Sequence, residues 1–270
     1  DDCQSIVKAA FADQSFLREE SQLVAVNSIN WTRIMMQIVY YFSAALKVGA
    51  PEQAVSFSVP TGNFGDIYAG FLAKSIGLPI KQLVVATNSN DILHRFINGN
   101  EYSTTDLNQT LSPSMDILVS SNFERYLFHL FDRDAELLKE FMSKLNQESQ
   151  QVSEEKWQQM RECFSSARVD DALTCETIAK VFNDTGKLVD PHTAVGIRAA
   201  RECNADPSTP MITLSTAHPA KFSNAINEAG LDTPQLPPHL TGLFEKEEHY
   251  SVVPNDLAAV TEFVIKHSHS

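Results

Sequence analysis

The segment Ser58-Val59-Pro60-Thr61-Gly62-Asn63-Phe64-Gly65-Asp66 constrains the fold of this chain most strongly, because a strand pattern ends in it and a helix pattern begins. Residues 55–59 alternate between apolar and serine side chains, as in a strand, and the apolar residues of 67–72 recur at helical spacing. Pro60 closes the strand, and two glycines within the turn permit positive φ and close backbone approach. The sequence therefore predicts a strand, a glycine turn and a helix N-terminus.

A helix N-terminus behind a glycine turn offers free backbone N–H groups and the positive end of the helix dipole, which together suit a phosphate-sized anion. Thr61 and Asn63 add neutral donors, Phe64 can cover the turn, and Asp66 is a candidate helix cap. The segment lacks the Gly-Lys-Ser/Thr ending and the Gly-x-Gly-x-x-Gly of nucleotide sites, so a cofactor with one phosphate fits better. A purely structural glycine turn fits the same spacing equally well.

Three strand–helix units in sequence predict an α/β fold, an open parallel sheet with covering helices. The predicted strands are residues 23–26, 55–59 and 82–86, and residues 211–214 add a last one. Ligands bind at the carboxyl ends of the strands in such sheets. Asn27, Gly62 and Asn88 stand at these ends.

The pattern along the chain divides it into three parts. Residues 1–120 read as an α/β cofactor-binding portion that is incomplete at its N-terminus, and residues 121–185 as a mostly helical insert. Residues 186–270 return to the α/β core, where Asp190 is expected to cap a helix that starts at Pro191. A surface helix over residues 257–265 is expected to close the chain.

Charge and composition exclude several classes of partner. A net charge of −13 and a pI near 5.0 argue against binding of nucleic acid or anionic membrane, so an anionic substrate needs a local positive site. No apolar run approaches the ~20 residues that span a bilayer, and the expected location is the cytoplasm. The four cysteines are scattered, and we expect neither a disulfide framework nor a metal site.

Three motifs occur in order: Asn27-Ser28-Ile29-Asn30, residues 60–66 of the glycine turn, and Ser215-Thr216-Ala217-His218-Pro219. With these motifs the chain resembles the bacterial and fungal type of threonine synthase over nearly its whole length. The resemblance implies a fold-type II pyridoxal-phosphate enzyme, similar to the tryptophan synthase β subunit. It also implies a carbon–oxygen lyase of threonine biosynthesis, which converts O-phosphohomoserine and water to threonine and phosphate.

The resemblance assigns cofactor-binding roles. Gly62, Asn63, Phe64, Gly65 and Asp66 match the family's loop for the phosphate of pyridoxal 5′-phosphate. Thr216 matches the residue that faces the pyridine nitrogen, where a neutral hydroxyl leaves that nitrogen largely unprotonated. From the sequence alone, Thr216 fits equally well as a strand-end hydroxyl bound by backbone.

The resemblance also assigns the substrate phosphate to Asn27, Ser28, Asn30 and Arg33. Arg33 lies one turn into a helix from Asn30, so its guanidinium can return to the strand-end crevice and bind phosphate through two bonds. The more common role of a lone arginine is on a solvated helix face. His218 fits either a proton-transfer group or a turn before Pro219, and His192 fits a helix-start residue.

The family's Schiff-base lysine lies in a Phe-Lys-Asp setting, which this sequence lacks; Lys47, Lys74, Lys81 and Lys221 stand in other contexts. The expectation is therefore a C-terminal portion whose missing N-terminal part carries that lysine, and which lacks turnover alone. Two alternatives stay open: another fold-type II enzyme, such as a serine or threonine dehydratase, and a threonine-synthase-like protein that binds without catalysis. A dehydratase substrate has no phosphate to hold, and an upstream Phe-Lys-Asp would favour the enzyme.

Overall fold

A computed structural model describes residues 2–17, 21–25, 27–145 and 147–267 of the chain. The chain divides into two units, one made of Asp1–Val26 with Leu236–Ser270 and the other of Asn27–Gln235. The first unit holds two helices that contact each other, α1 (Asp2–Ala12) and α11 (Leu257–His267), and short 3-10 turns at Pro238–Leu240 and Leu243–Glu245. All candidate site residues belong to the second unit.

The second unit contains a parallel sheet. Its strands are β1 (Val55–Pro60), β2 (Ile80–Thr87), β3 (Phe164–Arg168) and β4 (Met211–Thr213), in the order β3-β2-β1-β4. Phe57 is in register with Leu83 of β2 and with Ile212 of β4. The open parallel sheet with covering helices that the sequence predicts is confirmed.

The helices of the second unit follow the strands and the loops between them. They are α2 (Trp31–Lys47), α3 (Gly65–Ser75), α4 (Ile92–Gly99), α5 (Phe123–Leu130), α6 (Ala135–Lys144), α7 (Glu154–Arg161), α8 (Asp171–Thr185), α9 (Pro191–Cys203) and α10 (Ser223–Glu228), with 3-10 turns at Pro113–Met115 and Pro219–Phe222. No helix in the described part of the chain is long and apolar enough to cross a membrane.

Both faces of the sheet are buried. Phe57 and Leu83 pack toward α2, α3 and a group of aromatic residues, whereas Val84 and Ala86 pack toward Val195 on α9. Ser58 lies on the α9 side, where its hydroxyl donates to the carbonyl oxygen of Gly196 at 2.7 Å. The serine alternation of β1 thus marks a second covered face, as expected for a parallel sheet between helices.

Two strand predictions fail. Residues 21–25 are not in a strand, and Val26 lies outside the described residues. Conversely, β3 lies inside the mostly helical residues 121–185, where no strand was predicted, and pairs with β2. Its sequence Phe-Ser-Ser-Ala-Arg is short and half polar, so periodicity gave no signal for it.

Two helix boundaries have clear local signals, and the start predicted at Pro191 is confirmed. Helix α2 ends at Lys47, just before Gly49, which has a φ of 107°. Helix α9 starts at Pro191, and the Asp190 carboxylate accepts hydrogen bonds from the backbone N–H groups of His192 and Thr193. Proline at the first position and an aspartate cap are strong local signals of a helix start.

Candidate active site

The glycine turn connects β1 to α3 at the carboxyl end of the sheet. The backbone N–H of Thr61 donates to the Ala86 carbonyl oxygen at 2.8 Å, which extends the β1–β2 pairing by one residue. Phe64 then occupies the N-cap position of α3 with a left-handed φ of 65°, and no side chain caps the helix. The cap expected from Asp66 is therefore wrong, because Asp66 lies one residue inside the helix.

The side chain of Phe64 does not cover the turn, contrary to expectation. Only 1% of it is exposed, and its ring packs against Phe123 and Phe164 with centroids 4.9 and 5.6 Å away. The aromatic anchor fixes the left-handed residue in place. Any contact of Phe64 with a ligand would have to use its backbone.

The backbone donors of the turn find no acceptor in the described part of the chain. Among the described residues, none accepts a hydrogen bond from the N–H groups of residues 62–67. These groups include the first N–H groups of α3, where the helix dipole contributes partial positive charge. The turn therefore presents a set of fixed donors suited to an anion.

Neighbouring groups approach both glycines of the turn closely. A Cβ on Gly65 would lie 3.3 Å from Asn122 Nδ2 and 3.5 Å from the Cβ of Ser28, and one on Gly62 would lie 2.9 Å from the carbonyl oxygen of Ser114. Side chains at these positions would displace neighbouring groups or fill the space in front of the N–H donors. Gly65 faces Ser28, which brings the first and second sequence motifs together.

The polar side chains of the turn have protein partners. The Thr61 hydroxyl donates to the Val59 carbonyl oxygen at 2.6 Å, so it is not the anion donor expected from the sequence. Asn63 Nδ2 donates to Ser28 Oγ at 3.4 Å, and the Asn63 carbonyl oxygen accepts from the Asn122 N–H at 3.0 Å. The Asn63 side chain thus links the turn to Ser28.

The Asn27-Ser28-Ile29-Asn30 motif forms the turn that precedes α2. Asn27 Oδ1 accepts from the Ile29 N–H at 3.0 Å, and Asn30 Oδ1 caps α2 by accepting from the Thr32 N–H at 2.9 Å. The side-chain oxygens of both asparagines have structural partners, whereas Ser28 lies beside Gly65. The structure therefore brings Ser28 to the glycine turn.

Asp66 connects α3 to α2. Its Oδ1 accepts hydrogen bonds from the hydroxyls of Tyr40 at 2.5 Å and Tyr41 at 2.9 Å. Burial raises the pKa of the Asp66 carboxyl, while these two hydroxyls and the positive charge of Arg33 act in the opposite direction. Arg33, which is exposed, thus lies close enough to the start of α3 to act on its charges.

Thr216 and His218 follow β4, on the other side of β1. The Leu214 N–H donates to the Ser58 carbonyl oxygen at 3.0 Å, so the segments that follow β1 and β4 leave the sheet side by side at its carboxyl end. The Thr216 N–H donates to Thr193 Oγ1 at 3.2 Å, and its side chain is exposed. His218 Nδ1 accepts from the Ala220 N–H at 3.2 Å, a contact that favours the turn-forming interpretation of this histidine.

The helix start at Asp190 supports the Thr216 segment. The Thr193 hydroxyl donates to Asp190 Oδ2, and His192 Nδ1 and Asp190 Oδ1 are 2.9 Å apart. His192 Nε2 accepts from the Ser114 N–H, so the proton of the neutral ring is on Nδ1, directed at Asp190. Burial alone would raise the pKa of Asp190, but the hydrogen bonds from His192 and Thr193 hold it below its ordinary value.

Two residues at the turn were missed by sequence reasoning, Asn122 and Arg125. Arg125 Nε donates to Asn122 Oδ1 at 3.0 Å, and Arg125 Nη2 donates to the Ile29 carbonyl oxygen at 3.0 Å. The only sequence signal was an asparagine before a helical segment, with an arginine three residues later. That pattern is common at helix starts and does not indicate a ligand site.

Comparison with known proteins identifies what this arrangement is similar to. Residues 193–264 match the family model described as "Threonine synthase, C-terminal". The chain is 57% identical over 269 residues to the threonine synthase of Pseudomonas aeruginosa, an alignment that covers 99% of the chain and 57% of that protein. The chain thus spans little more than half the length of this relative.

Solved structures give the same result. The crystal structure of threonine synthase from Brucella melitensis with bound pyridoxal phosphate matches with a TM-score of 0.91 and 48% identity, over 100% of this chain and 58% of that one. Yeast threonine synthase matches with a TM-score of 0.85 and 38% identity, over 98% of this chain and 57% of that one. The fold class expected from the sequence resemblance is confirmed.

Proposed function

This chain is a relative of the threonine synthases over almost its whole length, and we propose that the protein containing it binds pyridoxal 5′-phosphate and makes threonine. The substrate would be O-phosphohomoserine, and the products threonine and inorganic phosphate. The net reaction breaks the bond between Cγ and the phosphate ester oxygen, adds the oxygen of water at Cβ and leaves a proton on Cγ. A phosphate leaving group of this kind needs donors and positive charge to hold it.

One observation carries the cofactor proposal: the backbone donors between Gly62 and Ile67 have no acceptor in the described protein. Buried or partly buried N–H groups are normally paired. Here they follow the carboxyl end of β1, where ligands bind to parallel sheets. The residues present therefore fit a phosphate monoester.

The roles of the turn residues follow from their geometry. Gly62, Asn63, Phe64, Gly65 and Asp66 would hold the cofactor phosphate through their backbone N–H groups. The Asp66 carboxylate is occupied by Tyr40 and Tyr41, and a like charge would repel the phosphate, so its contribution is limited to the backbone. When bound, the cofactor supplies an electron sink for carbanion chemistry at the substrate's α-carbon.

Thr216 would face the ring nitrogen of the cofactor. Its N–H is held by Thr193 and its side chain is exposed at the edge of the sheet where the glycine turn lies. A neutral hydroxyl beside this nitrogen leaves the ring largely unprotonated, whereas a carboxylate would stabilise the protonated ring. An unprotonated ring is a weaker electron sink than a protonated one, which disfavours transamination.

Ser28 and Arg33 are the strongest candidates for the substrate phosphate. Ser28 lies beside Gly65, and Arg33 lies near the start of α3. Asn27 and Asn30 would contribute through their amide nitrogens, since their side-chain oxygens accept backbone hydrogen bonds. The positive charge of Arg33 supplies local attraction for an anion in a chain of net charge −13.

The Schiff-base lysine is proposed to lie outside residues 1–270. Lys74 donates to the Ile80 carbonyl oxygen, Lys81 pairs with Asp206 at 2.6 Å, and Lys221 lies over the ring of Phe222. These contacts keep three candidate lysines engaged away from the glycine turn. Residues 1–270 alone are then expected to lack turnover, and the cytoplasmic location stays a prediction from the sequence.

The test uses the whole protein that contains this chain. Titration with pyridoxal 5′-phosphate should give the absorbance change of a bound cofactor, and addition of O-phosphohomoserine should release phosphate and threonine in equal amounts. Deamination of serine or threonine without phosphate release would favour the dehydratase alternative. Cofactor binding without turnover of any of these substrates would favour a binding protein.

A further inference from the structure

Asn122 has a buried donor that no described residue accepts. The residue is 3% exposed, and its Nδ2 has no hydrogen-bond partner among the described residues. The hydroxyl of Tyr102 is in the same state. An unpaired buried donor destabilises the folded state, so each one calls for a reason.

The orientation of the Asn122 amide is fixed by Arg125. A guanidinium can only donate hydrogen bonds, so the atom that Arg125 Nε contacts at 3.0 Å must be the amide oxygen. The amide nitrogen then faces the other way, toward Gly65, where a Cβ would lie 3.3 Å from it. The unused N–H groups of the side chain are therefore aimed at the glycine turn.

Two hydrogen bonds hold Asn122, and a third holds the Arg125 side chain that orients it. The Asn122 backbone N–H donates to the Asn63 carbonyl oxygen at 3.0 Å, Arg125 contacts the Asn122 side-chain oxygen, and Arg125 Nη2 donates to the Ile29 carbonyl oxygen at 3.0 Å. The guanidinium carbon lies 5.7 Å from the ring centroid of Trp31. The amide is thus preorganised between the glycine turn and the turn that contains Ser28.

We propose that Asn122 Nδ2 donates a hydrogen bond to a phosphate monoester dianion bound between the glycine turn and Ser28, with Arg125 as the positioning residue. The inference rests on the proposed function and adds a side-chain ligand to its backbone donors. The phosphate belongs either to the cofactor or to the substrate, and both present the same oxygen acceptors. A rigid donor without a protein partner is what a ligand-binding amide requires before the ligand arrives.

The test is Asn122→Asp in the whole protein. Aspartate has nearly the same shape and still accepts from Arg125, so the free energy of unfolding in urea should not fall. It has no donor to offer the anion and adds a like charge. We expect the affinity for one of the two phosphate esters to drop roughly 10- to 100-fold, the range for a lost hydrogen bond to a charged group.

Two titrations distinguish the source of the phosphate. Pyridoxal 5′-phosphate is titrated into the cofactor-free protein and followed by absorbance, and inorganic phosphate is titrated into the cofactor-loaded protein and followed by calorimetry. Weakening confined to the first assigns Asn122 to the cofactor, and weakening confined to the second assigns it to the substrate site. Asn122→Ala, which removes the donor without adding a charge, gives the same reading if the aspartate variant does not fold.

Tyr102→Phe is the matched control, because it removes the other unused buried donor. Its affinities should stay within about twofold of the unaltered protein. Arg125→Lys should weaken the same ligand as Asn122→Asp, but less, since the charge is retained and only the fixed geometry is lost. Equal affinities of the unaltered and Asn122 variants for both ligands would overturn the inference, whereas failure of the unaltered protein to bind either ligand would overturn the proposed function itself.

Discussion

The starts of α3 and α9 differ in how their backbone donors are satisfied. At α9, the carboxylate of Asp190 accepts from the backbone N–H groups of His192 and Thr193. At α3, the N-cap residue is Phe64, its side chain points into the core, and the described protein provides no acceptor for the donors. A helix start that is capped by its own chain is structural, and one that is left open beside a glycine turn is available to a ligand.

The aspartates at these two helix starts show the same difference. Asp190 is fully buried, yet four donors from its own helix, the side chains and backbone N–H groups of His192 and Thr193, hold its pKa below the ordinary value. Asp66 faces the hydroxyls of Tyr40 and Tyr41, and burial raises its pKa. One carboxylate therefore stabilises the fold in its charged form, whereas the other is charged at some expense to stability.

The largest effect is expected from closing the open helix start. Gly65→Val places a branched side chain within reach of Asn122 and Ser28, where the backbone must approach the anion. In the whole protein, absorbance titration should show the affinity for pyridoxal 5′-phosphate reduced by about two orders of magnitude, the scale of losing several charge-assisted hydrogen bonds.

Gly99→Val is the control for this substitution. Gly99 ends α4, and a Cβ there would meet no atom within 4 Å. Its cofactor affinity should match that of the unaltered protein. Normal affinity of the Gly65 variant would remove the turn from the site and make both helix starts structural.

Arg33→Gln is expected to have the next largest effect, on catalysis. Loss of a charge-assisted contact to phosphate should cost about 2–4 kcal/mol of transition-state binding, a drop in kcat/KM for O-phosphohomoserine of roughly tens to a thousandfold. Arg161→Gln is the control, since Arg161 is exposed and stacks on Trp157 at 4.8 Å. A normal kcat/KM in the Arg33 variant would return this residue to a solvated helix face.

The comparison also separates what the sequence can predict from what it cannot. The glycine turn, the Asp190 cap and the Pro191 helix start depend on neighbouring residues, and local patterns predicted all three. The direction of the Phe64 ring and the partners of Asp66 depend on helices packed against α3. No periodicity carries that information.

The missed parts of the site have the same physical origin. Asn122 meets the glycine turn through contacts to residues about 60 positions earlier in the chain, and Arg125 reaches Ile29 from 96 positions away. Strand β3 was missed because pairing with β2 forms it, although its own residues are half polar. Residue types at motif positions could be read from the sequence, but the groups that orient them could not.

Asp190→Asn should destabilise the capped helix start. Asparagine replaces one carboxylate oxygen with an N–H donor, so either the His192 ring N–H or the Thr193 hydroxyl would lose its acceptor. We therefore expect a loss of about 2 kcal/mol in the free energy of unfolding at pH 7. Asp170→Asn is the control, because Asp170 also caps a helix, α8, but is exposed to solvent.

The pH dependence of this loss follows from the lowered pKa of Asp190. A lowered pKa contributes stability that is present above the carboxyl's unfolded value, about 3.9, and is lost as the pH falls through the folded value. Urea unfolding should therefore show the full difference between the unaltered protein and the variant at pH 5 and 7, and a shrinking difference below about pH 4. A difference that does not change with pH would mean that the charge of Asp190 contributes nothing.

Asp66→Asn should have the smallest effect, with the opposite sign. The asparagine oxygen can still accept from Tyr40 and Tyr41, and the substitution removes a carboxylate whose burial is unfavourable. Because the pKa of Asp66 is raised in the folded state, the unaltered protein loses stability as the pH rises above the ordinary aspartate value and through the folded value. The variant should accordingly be more stable near neutral pH by on the order of 0.5 kcal/mol, and the gain should vanish toward pH 4.

The control for the change in net charge is Asp184→Asn, because Asp184 is an exposed aspartate paired with Lys180. If urea unfolding shows Asp66→Asn to be destabilising at neutral pH, the charged carboxylate is a favourable partner of the tyrosines and of Arg33, and the two aspartates do not differ in sign.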